Sequence, residues 1–202
     1  MSRLFPKSIK AVVFDLDNTL VSSTLDFSEI REQLGCPDNE DLLEFVGKLS
    51  GGDRLSANQT ILDHELADAL SATKLPGTDE LLNLLSSLGI PVAIVTRNCE
   101  LAANLKLKHT QLDIPIVLTR EHHKAKPAPD ALYHLSDQWG MPTENMLYVG
   151  DYIYDLQTAQ NANTMSCLVS YGKKLTFSHL ADVVVCDLLE LVAIIDRQAK
   201  AA

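Results

Sequence analysis

No apolar run in this chain of 202 residues approaches the roughly 18 to 20 residues that a membrane helix requires, so a bilayer partner is not expected. Residues 1–10 also lack the apolar centre of a secretory signal, and the chain reads as cytoplasmic. Basic residues are in deficit, with 17 Lys and Arg against 27 Asp and Glu and a formal charge of -10. Nucleic-acid backbones demand a basic stripe, so no nucleic acid is expected as a partner, whereas a bound cation is compatible with this balance. Close cysteine pairs are missing too: Cys36, Cys99, Cys167 and Cys186 are scattered, without the spacing of a structural zinc site or a redox disulfide. The pair His122-His123 has no partner at helical metal-ligand spacing and reads as a solvated loop. Internal repeats and low-complexity segments are absent.

What is present is an ordinary globular composition, 46% hydrophobic and 22% charged, which excludes a disordered or collagen-like chain. From residue 76 onward, short apolar runs alternate with helical stretches, the signature of βα units and a parallel sheet. Strands are predicted over 11–15, 91–96, 115–118, 146–150, 165–170 and 183–185, and helices over 78–88, 100–108, 129–139, 153–162 and 188–198. The fold class is α/β, a Rossmann-like three-layer α/β/α arrangement. Residues 21–75 break the alternation, with apolar positions at helical intervals in 27–34, 41–49 and 55–70. The expected organisation is a core of residues 1–20 and 76–202, with a helical cap of residues 21–75 standing over the strand ends where α/β sheets bind ligands. The alternative is a helical decoration that only extends the core.

Four polar clusters follow four of the predicted strands. In Asp15-Leu16-Asp17-Asn18-Thr19, alternation of side chains sends Asp15 and Asp17 to one face while Leu16 turns into the packing. Two carboxylates on one face suit a nucleophile and an acid. Thr96-Arg97-Asn98 offers a hydroxyl, a cation and an amide suited to an oxyanion, although a strand-end Thr is also a common helix N-cap. Lys126 lies in a loop stiffened by Pro127 and Pro129, which can aim an ammonium; a merely solvated lysine is the other reading. Gly150-Asp151-Tyr152-Ile153-Tyr154-Asp155 puts one acid at a strand end and another near a helix N-terminus, where the helix dipole favours both. Joined, the four are complementary: the carboxylates can hold Mg²⁺, Thr96 and Lys126 can bind phosphoryl oxygens, and Asp15 can attack phosphorus in line.

In this order the motifs resemble those of the haloacid dehalogenase superfamily, whose phosphatase members carry DxDxT, a strand-terminal Ser or Thr, a Lys and a GDxxxD. The resemblance spans essentially the whole chain and is greatest to phosphoglycolate-phosphatase-type members with a helical cap between the first two motifs. It implies a Mg²⁺-dependent phosphatase acting on a small phosphorylated metabolite, with Asp15 forming an aspartyl-phosphate. Asp17 would be the general acid and base, and its presence favours phosphoryl chemistry over dehalogenation. Thr96 and Lys126 would complete the catalytic set. The Mg²⁺ ligands would be Asp15, the Asp17 backbone carbonyl and Asp151. Behind them Asp155 would orient Lys126 or a metal-bound water, with Thr19 as a further supporting residue. Asn18, Arg97 and Asn98 are substrate-side candidates, as is Arg54 in the segment Gly51-Gly52-Asp53-Arg54, which also reads as a surface turn. Thr-Arg-Asn stands where relatives often have Thr-Asn-Lys, and Asn163 stands where many have Gly, a position Asn can fill because it tolerates left-handed backbone. A monomer or homodimer is expected. The alternatives are a sugar phosphomutase of the same superfamily and a binding or regulatory protein without turnover.

Overall fold

The computed structural model describes residues 9–201. Strand β1 (Ala11–Phe14) is followed by three inserted helices, α1 (Phe27–Leu34), α2 (Leu42–Lys48) and α3 (Gly51–Ser71). The chain then alternates through α4 (Thr78–Ser87), β2 (Val92–Val95), α5 (Glu100–Thr110), β3 (Val117–Leu118), α6 (Asp130–Trp139), β4 (Met146–Gly150), α7 (Ile153–Asn161), β5 (Met165–Val169), β6 (Val183–Val185) and α8 (Leu188–Ala201). All six strands are parallel, in the order β3-β2-β1-β4-β5-β6. The predicted α/β class holds. The strand predicted over 115–118 shrinks to Val117–Leu118, as befits a sheet edge with one neighbour to pair with.

Because strand side chains alternate, each central strand feeds two cores. Val12, Phe14, Ile94, Leu147 and Val149 pack on one face with Leu81 and Leu85 of α4, Ala103 of α5 and Leu191 of α8. Ala11, Val13, Ala93, Met146 and Tyr148 pack on the other with Leu132 and Leu135 of α6 and Ala159 of α7. Two helix layers thus enclose one sheet, and no described helix is long and apolar enough to cross a membrane. The expected left-handed residue is found at Asn163, with φ 54°.

The inserted helices have a separate apolar cluster, built on Ile30, Leu42, Val46, Ala57 and Ile61. Two of them have clear starts, since the carboxylates of Asp26 and Asp41 accept hydrogen bonds from the first free amides of α1 and α2. Helix α3 starts earlier than its periodicity predicts. Gly51, at φ +56°, turns the chain directly into the helix, so the segment expected as a loop is its first turn.

Candidate active site

The strand order reverses around β1, which pairs with β2 on one side and β4 on the other. Polar side chains leaving the carboxyl ends of these three strands therefore converge on the crevice that such sheets use for ligands. A cavity of about 410 Å³ occupies it, lined by Asp15, Asp17, Asn18, Thr96, Arg97, Asn98, Lys126, Asp151 and Asp155 from the sheet side. The inserted helices and their linker contribute Leu25, Phe27, Ile30, Arg31, Asp41, Leu42, Ile61 and Glu65. Asp15 and Asp17 do share a face, and Leu16 between them is fully buried.

Asp15 leaves β1 with its amide donating to Val149 O at 2.8 Å, which fixes the backbone against β4. Its Oδ1 accepts from Lys126 Nζ at 2.5 Å, and the same ammonium donates to Asp155 Oδ1 at 2.6 Å. Lys126 is 5% exposed, so a buried cation is shared by two carboxylates rather than solvated. Burial alone would lower its pKa, but Asp15 and Asp155 outweigh that and hold it well above the ordinary value. The other oxygen of Asp155 accepts from the Tyr152 amide at 2.9 Å, so this acid caps α7 while it holds Lys126. Gly150 makes room for it, since a Cβ there would lie 2.3 Å from Asp155 Cγ.

Asp15, Asp151 and Asp155 each bring a carboxylate oxygen within 4.8 Å of the others. Burial first, and neighbouring carboxylates after it, push Asp151 up to about 8, while burial outweighs the counter-effect of Lys126 to push Asp15 up to about 7. Hard oxygen donors concentrated in this way fit a divalent cation of the Mg²⁺ type, whose charge relieves the repulsion. The cluster differs from the expected ligand set in one respect: Asp155, expected behind the metal, stands together with Asp15 and Asp151. The Asp17 carboxylate is turned away, accepting from Asn98 Nδ2 at 2.8 Å and from the ammonium of Lys106.

Thr96 is buried at the end of β2 and lines the cavity, and its Oγ1 accepts from the Asn98 amide at 3.2 Å in the turn before α5, whose N-cap is Cys99 and not Thr96. Arg97 and Asn98 line the cavity with much of their bonding capacity engaged. The Arg97 guanidinium donates to Asp41 Oδ2 at 2.6 Å and to Lys126 O at 2.5 Å, and lies over the Tyr154 ring at 4.6 Å. Asn18, at φ 55°, accepts from the Ser23 amide at 3.2 Å and shapes the turn out of the site. Thr19 is fully buried, its Oγ1 forms no hydrogen bond within the chain, and its carbonyl accepts from Tyr171. Arg54 requires a correction: it is exposed on the first turn of α3 and does not line the cavity, because the Gly51 turn begins the helix before it.

Several residues of the site are illegible in local sequence. Lys106, 1% exposed on α5, also donates to Asp68 Oδ2 of α3 at 2.6 Å. Glu65 of α3 accepts from Arg120 and, at 3.2 Å, from the Cys99 amide. One signal for Lys106 does exist, because it falls within the buried stripe Ala102, Ala103, Lys106, Leu107 and Thr110.

Comparison with known proteins agrees with this architecture. A model of the haloacid dehalogenase-like hydrolase family matches residues 24–169. An uncharacterized hydrolase of Saccharomyces cerevisiae is 30% identical, with 96% of this chain and 94% of that protein covered. A phosphoglycolate phosphatase of Neisseria meningitidis is 31% identical, with 81% of each chain covered. The crystal structure of a hydrolase from Pseudomonas syringae superposes with a TM-score of 0.77 over 93% of this chain and 98% of that one, at 22% identity. With a family model over most of its length and a relative at 30% identity along nearly all of it, the chain belongs to the haloacid dehalogenase-like hydrolases.

Proposed function

We propose that the protein is a cytoplasmic, Mg²⁺-dependent phosphatase that hydrolyses a small phosphomonoester through an aspartyl-phosphate on Asp15. The observation that carries this reading is the Lys126 ammonium held between Asp15 and Asp155, with Thr96 and Asp151 on the same cavity. A nucleophile, a cation for phosphoryl oxygens and a carboxylate cluster then meet where three strands end. Similarity to phosphatases supports the same reaction.

In this mechanism Asp15 attacks phosphorus, the ester P–O bond breaks, and the leaving oxygen takes a proton from Asp17. Water then attacks the acyl phosphate, gives its proton to Asp17, and releases inorganic phosphate while Asp15 is restored. Thr96 and Lys126 hold the non-bridging oxygens, and Asp155 keeps Lys126 aimed. Asp15, Asp151 and the Asp17 backbone carbonyl would hold Mg²⁺, which supplies neutralisation of charge between the nucleophile and the phosphoryl group. The inserted helices act as a cap, and the apolar side chains they bring, among them Leu25, Phe27 and Ile30, favour a compact substrate shielded from water. Arg97 is already bound to Asp41, and Arg31 donates to Pro37 O and Cys36 Sγ, which weighs against the phosphomutase alternative, since a bisphosphate would need free cations in that half of the cavity.

The test is phosphate release from a broad panel of small phosphate esters, with Mg²⁺ and with a chelator, for wild type and Asp15→Asn. Release should require the metal and fall by about 1,000-fold or more in the variant. A wild type that releases nothing, or a variant that matches it, would sink the phosphatase reading.

A further inference from the structure

Lys106 is a buried lysine whose ammonium faces two carboxylates on different parts of the molecule. It projects from α5 in the sheet-bearing core, donates to Asp17 Oδ1, and donates to Asp68 Oδ2 of inserted helix α3 at 2.6 Å. Asp68 in turn gathers the linker that leaves the core: its Oδ2 accepts from Ser23 Oγ at 2.8 Å, and its Oδ1 accepts from the Thr24 amide at 2.6 Å and from Thr24 Oγ1 at 3.2 Å. An unbroken line of polar contacts therefore runs from the linker through Asp68 and Lys106 to Asp17.

On the reading of the reaction given above, we infer that Lys106 is a positioning residue for Asp17, and that Asp68 makes this positioning depend on the seating of the inserted helices. Lys106 does not line the cavity, so it acts on substrate only through Asp17. Asp17 Oδ2 accepts from Asn98 Nδ2 at 2.8 Å, and the bond from Lys106 to Oδ1 completes a two-point hold on the carboxylate. A planar group held at both oxygens has its torsions fixed, yet each oxygen keeps a lone pair for the proton it transfers. Proton transfer requires approach within hydrogen-bond reach of the leaving oxygen, so a small displacement of this acid is costly. Burial alone would not require the second bond, because Asp68, itself 5% exposed, already gives the ammonium a partner. If the inserted helices swing away, Asp68 leaves with them and Lys106 loses its outer anchor. Asp17 is then held less tightly in an open site, where water would otherwise compete for its proton.

The experiment exploits the leaving group. Breaking an aryl ester that expels nitrophenolate needs little proton donation, whereas an alkyl ester that expels an alkoxide needs it fully. From the esters that wild type hydrolyses with Mg²⁺, one of each kind is taken, and single-turnover release of the leaving group is measured for Lys106→Met, Lys106→Arg and Asp68→Asn. Lys106→Met should slow the alkyl ester about 100-fold more than the aryl ester, Lys106→Arg should restore part of that difference, and Asp68→Asn should show the same bias at smaller size. Equal losses on both esters, or no loss on either, would overturn the positioning role. Should Lys106→Met fail to fold, Asp68→Asn decides alone on the same criterion. Failure of wild type to hydrolyse any ester is a different result, and it removes the phosphatase reading itself.

Discussion

Gly150 leaves no space for any other residue. A Cβ there would meet Asp155 at 2.3 Å, and Asp155 is the carboxylate that holds Lys126. Gly150→Ala should therefore displace Asp155, release Lys126, and cost about 1 to 3 kcal/mol of stability by overpacking, with kcat falling more than KM rises. Steady-state kinetics beside urea denaturation would separate the two effects. Asp15 and Asp151 give a second prediction. Both hold their protons more tightly in the folded chain than at the ordinary 3.8, up to about 7 and about 8, chiefly through burial. The folded state thus binds more protons than the unfolded one above pH 3.8, and the metal-free protein loses stability as pH rises toward about 8. On the proposed function Mg²⁺ would bind the ionised carboxylates, so its increment in Tm should be larger at about pH 8 than at about pH 5. An increment that shrinks with rising pH would remove this cluster as the cation site. At this scale, legibility in sequence followed position. Asp15, Thr96 and Asp151 follow strands directly, where a polar side chain after an apolar run has an evident place, and Lys126 is marked by the prolines that follow it. Lys106, Asp68 and Glu65 lie inside helices, where charged residues ordinarily face water, and their pairing across the two parts of the molecule has no local trace.

Helices and strands followed their periodicity, and their ends followed special residues. The five helices predicted after residue 76 all form, because leucine and alanine spacing is a local property that the sheet only has to accept. The start of α3 was less legible, since Gly51 at φ +56° acts as a turn and as a helix entrance at once. Gly77 sets a comparable constraint at the start of α4. It sits at φ +90°, and a Cβ there would lie 2.8 Å from Leu189 N and 2.9 Å from Leu188 Cβ of α8. Gly77→Ala combines left-handed strain with a backbone clash and should destabilise the fold by about 2 to 3 kcal/mol. Urea denaturation measures this, and kcat of the folded fraction should be unchanged because Gly77 does not line the cavity.

At the scale of the whole molecule, three ion pairs among the described residues join the inserted helices to the core: Asp41 with Arg97, Glu65 with Arg120, and Asp68 with Lys106. The first two can be weakened without touching Asp17. Asp41→Asn combined with Glu65→Gln should raise amide exchange across residues 27–71 by about tenfold and leave β1 and β4 protected. A uniform rise would mean instead that both parts open as one unit.

The chain enters and leaves the inserted helices through one narrow gate. Val21 and Lys74 form an antiparallel bridge, the Ser22 amide donates to Thr73 O at 2.8 Å, and the Thr73 amide returns a bond to Ser22 Oγ at 2.9 Å. Departure and return thus lie side by side, and the sheet does not register how much chain is strung between them. Residues 23–72 are in this sense cargo on a fixed chassis, exchangeable so long as the replacement offers Lys106 a carboxylate where Asp68 now stands. A segment of another length or lining, grafted at the same two points, would meet the same aspartates and lysine and present them to a different leaving group.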